Sequence, residues 1–306
     1  MSNLEGILAV YKPAGFTSHD VVAKVRRIVK MKRIGHTGTL DPEVTGVLPL
    51  CLGRATRVVE YMQELPKEYH ATLRLGVATD TEDMTGTVIE QVDAVSVTKE
   101  DVIQVLNSFK GIISQVPPMY SAVKVDGKRL YELAREGKTV ERKSREVTIY
   151  EIEMTDTSWD GPYPELSFRA LCSKGTYIRT LCVDIGRALG LPSVMVKLER
   201  TKSAGIDAEH CVTFEDIEQC MEEGTLDSHL IPVDQAIPHL PAHTVSEEKT
   251  SAAIQGQRLS YKSVTPDVTS ETPIRLYDVK GRFLGIYQKQ EETGAIAPVK
   301  VFLQES

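Results

Sequence analysis

Apolar and polar side chains alternate over residues 69–77, and this constrains the fold of the 306-residue chain more than any other feature. The apolar members are Tyr69, Ala71, Leu73, Leu75 and Val77. The residues between them include His70, Thr72 and Arg74. A two-residue period places the two sets on opposite faces of a β-strand, so the pattern predicts a half-buried strand.

Helix and strand signals on both sides of this strand predict an α+β protein with much antiparallel pairing. Apolar residues at helical spacing follow Ser18, which we expect to be the N-cap, and Thr98 is the expected N-cap of a helix to about Phe109. Another helix follows Gly175 and is closed by Gly190. The other predicted elements are a helix at 54–62 and strands at 6–11, 47–52, about 145–155 and 165–172.

Proline-punctuated IPHLPAH, residues 237–243, predicts a domain boundary. We therefore divide the chain into residues 1–240 and a small β-rich module at 241–306. In this module, IRLYDV and FLGIYQ flank KGR as the strands of a hairpin do. Turn signals and tyrosines at about 111–143 predict an excursion from the core of the larger domain.

The formal net charge of −7 argues against a nucleic-acid partner if the chain is taken as a whole, but the distribution of charge along the chain removes this argument. Residues 207–248 hold eleven acidic side chains and no Lys or Arg, so the rest of the chain is net positive. Basic side chains cluster at 24–33 and, mixed with acids, at 124–145. Such clusters are typical of solvated helix faces and also of sites that bind polyanions.

Several classes of function are disfavoured by missing patterns. No apolar run is long enough for a membrane helix, the N-terminus does not resemble a signal peptide, and we expect a cytoplasmic protein. The five cysteines contain no Cys-x-x-Cys pair, and the motifs of nucleotide-binding loops, zinc proteases and serine hydrolases are missing. DTEDMTG, residues 80–86, departs from a calcium loop and reads as an acidic surface turn.

Asp41 stands out within GHTGTLDPEVTGVLPL, residues 35–50. Pro42 biases it to an extended conformation, and glycines on both sides permit turns, so the loop can present the carboxylate rigidly. A nucleophile or general base needs such presentation, but a turn aspartate that binds neighbouring amides produces the same pattern. The residues alone leave both interpretations open.

Five segments, in order, resemble the TruB family of bacterial tRNA pseudouridine synthases. They are KPAGFTSHDVV (12–22), GHTGTLDPEVTGVLPLCLGRATR (35–57), KEYHATLRLGVATDTEDMTG (67–86), PPMYSAVKVDGKRLYELAREG (117–137) and CSKGTYIRTLCVDIGRALG (172–190). The resemblance implies the pseudouridine synthase catalytic fold with a mainly antiparallel central sheet. It also implies an inserted RNA-gripping segment at about 111–143 and a C-terminal PUA-like RNA-binding module.

The implied activity is isomerisation of uridine 55 to pseudouridine in the T loop of tRNA, without cofactor or metal. Asp41 is the implied nucleophile, adding either to C6 of uracil or to C1′ of the ribose. The T stem-loop of tRNA is the expected partner, with no guide RNA and no membrane, and the protein is expected to be a monomer.

The same resemblance assigns roles to other residues. Arg179 would hold Asp41 ionised through a bidentate contact, Tyr69 would stack on the uracil with its hydroxyl placed to remove the C5 proton, and Leu198 would pack on the opposite side of the base.

The family resemblance also implies roles for three residues in extruding the base and binding the RNA. His36 would fill the gap that the extruded uridine leaves, Lys12 would support the site or contact phosphate, and Tyr120 would contact RNA.

Three alternatives stand beside this interpretation. One is an RNA-binding or RNA-folding protein on the same fold without catalysis, although an intact Asp41, Tyr69 and Arg179 argue against it. Another is a glycosidase, for which no motif proposes a second acid beside Asp41. The third is an RNA-guided type, which the short C-terminal module disfavours.

Overall fold

A computed structural model describes residues 4–125, 127–159 and 161–302. Its α-helices in these ranges are α1 (Ser18–Ile28), α2 (Val59–Glu64), α3 (Lys99–Ser108), α4 (Leu130–Arg135), α5 (Ile178–Ala188), α6 (Phe214–Glu223) and α7 (Thr250–Ile254). The strands are β1 (Gly6–Lys12), β2 (Ile34–His36), β3 (Thr45–Leu52), β4 (Lys67–Leu75), β5 (Val77–Thr79), β6 (Val88–Gln91), β7 (Gly111–Gln115), β8 (Lys124–Val125), β9 (Lys128–Arg129), β10 (Arg145–Ser158), β11 (Glu165–Cys172), β12 (Ser193–Ser203), β13 (Ile206–Asp207), β14 (Leu230–Ile231), β15 (Ala242–Val245), β16 (Val264–Thr265), β17 (Ile274–Tyr277), β18 (Phe283–Lys289) and β19 (Ile296–Val301). Short 3₁₀ helices lie at Gly53–Val58, Ala208–His210, Leu226–His229, Glu247–Lys249 and Tyr261–Ser263.

A ten-stranded sheet organises residues 6–231 in the order β14-β1-β3-β12-β4-β11-β10-β7, with β2 on β3 and β13 on β12. Every pair is antiparallel except β12 with β3. The predicted α+β class with a mainly antiparallel central sheet is therefore confirmed. Within the described ranges, no helix is long and apolar enough to cross a bilayer.

The alternating strand is β4, at the centre of this sheet. Ala71, Leu73 and Leu75 are at most 1% exposed and belong to the apolar core beneath α3 and α5. The strand ends at Leu75. At Gly76, which follows it, φ is +91° and a Cβ atom would lie 2.7 Å from the Tyr163 ring. The prediction was wrong at Val77, because the turn at Gly76 sends it into the separate β5–β6 hairpin.

The two predicted helix caps had different outcomes. Thr98 caps α3 as predicted, its side chain accepting from the Asp101 N–H. The cap of α1 is Thr17 rather than Ser18, because Ser18 is already helical and its hydroxyl accepts from the Leu40 N–H at 2.9 Å. The predicted helix at 54–62 is a 3₁₀ turn followed by α2.

The excursion from the core is shorter than predicted. Residues 111–115 form β7, which pairs with β10 and is the edge of the central sheet. The β8–β9 hairpin and α4 follow and lie outside that sheet. We call residues 116–143 the insert.

A second, five-stranded sheet begins at β15, in the order β16-β15-β17-β18-β19. The predicted hairpin around KGR is confirmed as β17 and β18. Ile286 and Phe302 from this region pack with Ile7 and Val47 of the first sheet. The PUA-like character of this module and the boundary at residue 240 stay predictions.

Candidate active site

The loop between β2 and β3, residues 37–44, is fixed by buried polar contacts. Lys12 is fully buried, and its Nζ donates to the carbonyls of Pro13 (2.9 Å), Pro42 (2.8 Å) and Val44 (2.6 Å). An ammonium group has three N–H donors, so these contacts use all of them. Burial lowers the pKa of Lys12 to about 8. The loop that carries Asp41 is thus held rigidly by a buried side chain of β1.

Arg200 on β12 holds the same loop from the other side. Its side chain donates to the carbonyls of Val47 (2.8 Å) and Gly38 (3.2 Å) and is 1% exposed. The approach is close because residue 46 is glycine: its φ is +108°, and a Cβ atom there would lie 2.2 Å from the Arg200 carbonyl oxygen. Asp41 therefore projects from a loop whose two ends are tied to the central sheet.

Arg179, in the first turn of α5, contacts Asp41. Its Nε lies 2.9 Å from Asp41 Oδ2, and the two side chains are 6% and 43% exposed. The expected bidentate contact was wrong, because the two Nη atoms donate elsewhere, to the carbonyls of Thr81 (3.1 Å) and Tyr120 (2.7 Å). One guanidinium thus joins the Asp41 loop, the acidic turn and the insert.

The acidic turn at 80–86 is held by its own side chains. Asp83 Oδ1 accepts from Thr81 Oγ1 (2.8 Å) and the Thr85 N–H (3.0 Å). Glu82 Oε2 accepts from the Thr180 hydroxyl at 2.8 Å, beside Arg179 on α5, and burial raises the pKa of Glu82. These contacts fix the Thr81 carbonyl against Arg179. Among the described residues, no three His, Cys, Asp or Glu side chains are grouped as metal ligands.

A cavity of about 620 Å³ opens above the ion pair. Its wall includes Asp41, Arg179, Tyr69, Leu198 and Tyr120. Sheet register explains part of this set: Tyr69 on β4 pairs with Arg200 on β12, and Leu198 pairs with Ala71, so all four point to one face. A cavity of this size accommodates a nucleotide-sized ligand.

Tyr69 is partly exposed in this wall. Burial raises the pKa of its hydroxyl, and the positive charge of nearby Arg200 acts in the opposite direction. The ring and the aliphatic Leu198 supply two apolar surfaces in one cavity.

His36 lies at the end of β2, outside the cavity wall that the described residues form. Its ring packs edge-on against His19, with centroids 5.6 Å apart and planes at 76°. The Gly38 N–H donates to His36 Nδ1 at 3.3 Å, and burial lowers the pKa of His36. The ring is therefore held as a neutral imidazole at neutral pH, with the proton on Nε2.

Lys12 and Tyr120 act through contacts that the sequence did not specify. Because the Lys12 ammonium is occupied by carbonyls, the geometry favours its supporting part over a phosphate contact. Tyr120 reaches Arg179 through its backbone carbonyl.

The cavity residues that sequence reasoning missed include Arg200, Lys67, Thr37 and Ser121. The two-residue period of the strands could have located two of them, because Arg200 follows Leu198 by two positions and Lys67 precedes Tyr69 by two. Lys67 is 6% exposed and donates to the carbonyls of Gln63 and Leu65, the latter at 2.6 Å. Burial lowers the pKa of Lys67 to about 8.

Two family models match adjoining parts of the chain. Residues 26–178 match the TruB family pseudouridylate synthase N-terminal domain, and residues 179–238 match the tRNA pseudouridylate synthase B C-terminal domain.

Full-length relatives agree with these matches. The chain is 46% identical to tRNA pseudouridine synthase B of Bacillus licheniformis over 304 residues, covering 98% of each chain. It is 44% identical to tRNA pseudouridine synthase B of Bacillus subtilis over 306 residues, covering 99% of each. Among solved structures, a chain of an H/ACA RNP bound to a substrate RNA containing 2′-deoxyuridine has a TM-score of 0.76 at 26% identity, over 99% of this chain and 86% of that one.

Proposed function

The chain belongs to the TruB family of pseudouridine synthases, and on that basis we propose that it isomerises uridine 55 to pseudouridine in the T loop of tRNA. The structural observation that supports this function best is the Asp41–Arg179 pair in the wall of a nucleotide-sized cavity. A guanidinium in contact with one carboxylate oxygen orients that group for nucleophilic attack.

The reaction rearranges bonds within one nucleotide. The N1–C1′ bond breaks, the uracil turns, and a C5–C1′ bond forms, while C5 loses a proton and N1 gains one. Asp41 is the proposed nucleophile and attacks either C6 of the uracil or C1′ of the ribose. Its side chain is 43% exposed, which leaves the carboxylate accessible on the side away from Arg179.

Tyr69 and Leu198 are the proposed contacts of the extruded base. Their side chains point to the same face of the sheet, so a flat ring between them would meet an aromatic and an aliphatic surface. The Tyr69 hydroxyl would take the C5 proton in the last step. Burial raises the pKa of that hydroxyl, and the positive charge of Arg200 opposes the rise.

His36 is the proposed substitute for the extruded uridine in the loop stack. It lies next to the cavity wall rather than in it, and its neutral ring suits stacking between bases. Lys12 would support the Asp41 loop, and Tyr120 would link RNA contacts on the insert to Arg179 through its carbonyl.

The insert and the C-terminal module are the proposed RNA-gripping parts, with the T stem-loop as substrate. We expect a monomer. We also expect that it needs no guide RNA, because the relatives that match over the full chain are named as tRNA pseudouridine synthases. Since these relatives are bacterial, we expect the protein to act in the cytoplasm.

A T-arm transcript tritiated at uracil C5 tests this function, because isomerisation releases the C5 hydrogen to solvent. The wild-type protein should release one tritium per target uridine. Asp41→Asn should release none, because an amide is not a competent nucleophile. Binding of the transcript should persist in this variant.

Glu43→Gln is the matched control, since Glu43 is an exposed carboxylate in the same loop, two residues beyond Asp41. It should retain wild-type release. Inactivity of the wild-type protein on several tRNAs, or full activity of Asp41→Asn, would rule out the proposed function.

A further inference from the structure

Two hydroxyls in the cavity wall lack a hydrogen-bond partner. Thr37 Oγ1 and Ser121 Oγ are closed off from solvent, in residues that are 1% and 5% exposed, and neither is bonded to another described residue. Both residues line the cavity. A buried hydroxyl without a partner is unfavourable and rare in natural proteins, so two of them beside one cavity need an explanation.

The backbones of both residues are fixed. The Thr37 N–H donates to the Pro49 carbonyl at 3.2 Å, and the Ser121 carbonyl accepts from the Tyr131 N–H at 3.1 Å. The residue before Ser121 is Tyr120, whose carbonyl accepts from Arg179. Only the side-chain torsion of each hydroxyl is therefore free to adjust, and a change of χ1 redirects the oxygen without moving the chain.

The proposed substrate has polar groups that the apolar walls of the cavity cannot satisfy. Uracil carries two carbonyl oxygens, O2 and O4, on either side of the N3–H donor, whereas Tyr69 and Leu198 present an aromatic face and an aliphatic chain. A hydroxyl both donates and accepts, so it can bond either a carbonyl oxygen or N3–H. Taking this edge out of water without giving it a partner would weaken binding.

We propose that the hydroxyls of Thr37 and Ser121 hydrogen bond the polar edge of the extruded uracil. This assignment rests on the proposed function and makes the two residues specificity-determining contacts of the same reaction. The two segments involved, the Asp41 loop and the insert, thereby reach the same base.

Uracil symmetry makes these contacts compatible with both ends of the reaction. Turning the ring about its C6–N3 axis exchanges N1 with C5 and O2 with O4, and leaves the order of acceptor, donor and acceptor unchanged. Hydroxyls that bond this edge in uridine can therefore bond it again in pseudouridine.

A third orphan hydroxyl supplies the matched control. Ser203 Oγ is also buried without a partner, in a residue that is fully buried at the end of β12, but Ser203 does not line the cavity. Thr37→Val, Ser121→Ala and Ser203→Ala each remove one unsatisfied hydroxyl with little change of shape.

The test compares thermal stability with kinetics for these three variants of the full chain. All three should raise Tm by about 2 °C, because an unfavourable buried group is removed. Thr37→Val and Ser121→Ala should lower kcat/KM for tritium release by about threefold to tenfold, the usual effect of one neutral hydrogen bond. Ser203→Ala should keep the wild-type value.

Thionated substrates identify the bonded edge. With 2-thiouridine or 4-thiouridine at the target, a sulfur acceptor weakens the bond, so the loss from Ser121→Ala or Thr37→Val should shrink. Unchanged kcat/KM in both variants would overturn the proposal while wild-type activity upheld the proposed function. The proposal would also be overturned if the loss of kcat/KM in the two variants shrank only with 2′-deoxyuridine as the target, because the hydroxyls would then bind the ribose.

Discussion

Replacing Arg179 by lysine keeps a positive charge at the ion pair and removes the planar fork that serves three acceptors. The guanidinium reaches Asp41 Oδ2 at 2.9 Å, the Thr81 carbonyl at 3.1 Å and the Tyr120 carbonyl at 2.7 Å. An ammonium group is a single point of charge and cannot occupy these three directions at their separate positions. Arg179→Lys should therefore lose at least one contact.

The size of the effect follows from burial. The Arg179 side chain is 6% exposed, so a lost bond is not replaced by bulk water, and a hydrogen bond to a charged group contributes about 1.5–3 kcal/mol. If the lost contact orients Asp41 in the transition state, the single-turnover rate falls by about 10-fold to 100-fold. This range refers to the contacts with the two backbone carbonyls. The direct contribution of the Arg179–Asp41 contact is smaller, because the Asp41 carboxylate is 43% exposed and water screens its charge.

Two measurements separate the contacts. Tritium release under single-turnover conditions reports the orientation of Asp41. Limited trypsin digestion reports the insert, because Arg179 holds the Tyr120 carbonyl at its base, and cleavage after Lys124 or Lys128 should be faster in Arg179→Lys. Arg187→Lys is the control, since Arg187 lies on the same helix with a 75% exposed side chain.

A wild-type single-turnover rate in Arg179→Lys would refute this reasoning, because one charge would then suffice. A slower rate with unchanged proteolysis would refute the link to the insert. A similar rate loss in Arg187→Lys would show that the helix as a whole, rather than the fork, is sensitive.

Two further outcomes are expected. Folding lowers the pKa of Lys12 to about 8, so between pH 8 and about 10.5 the unfolded state keeps the Lys12 proton and the folded state does not. Stability therefore rises with pH across this window. In urea titrations, the unfolding free energy of wild type relative to Lys12→Met should increase by about 3 kcal/mol between these two pH values. Binding of a T-arm transcript should weaken steeply with salt, and neutralising exposed Lys124 and Lys143 of the insert together should reduce the slope of log K against log salt by about 2. Neutralising Lys197, exposed on the central sheet, should leave that slope unchanged, and a flat wild-type response would contradict the proposed RNA grip.

Features that depend on neighbours in the chain were predictable. The alternation that defines β4, the Thr98 cap of α3 and the hairpin around KGR each arise from the conformational preferences of a few adjacent residues. The predicted N-cap of α1 and the predicted end of β4 were wrong because residues distant in sequence determine the structure at these two positions. The Leu40 N–H donates to the Ser18 hydroxyl, which is therefore not free to cap α1. A side chain at position 76 would collide with the Tyr163 ring, so this position is a glycine, at which the chain turns away from β4.

Sequence by itself determined the chemical groups and the family: a carboxylate before proline in a glycine-bounded loop, and five motifs in order. Only the tertiary structure decided which groups meet. Arg179 contacts positions 41, 81 and 120 because the sheet order brings the segments that carry them together, and those Nη contacts exclude the bidentate pair that the motifs implied. The orphan hydroxyls of Thr37 and Ser121 became visible for the same reason, since an unmet hydrogen bond exists only once every neighbour is in place.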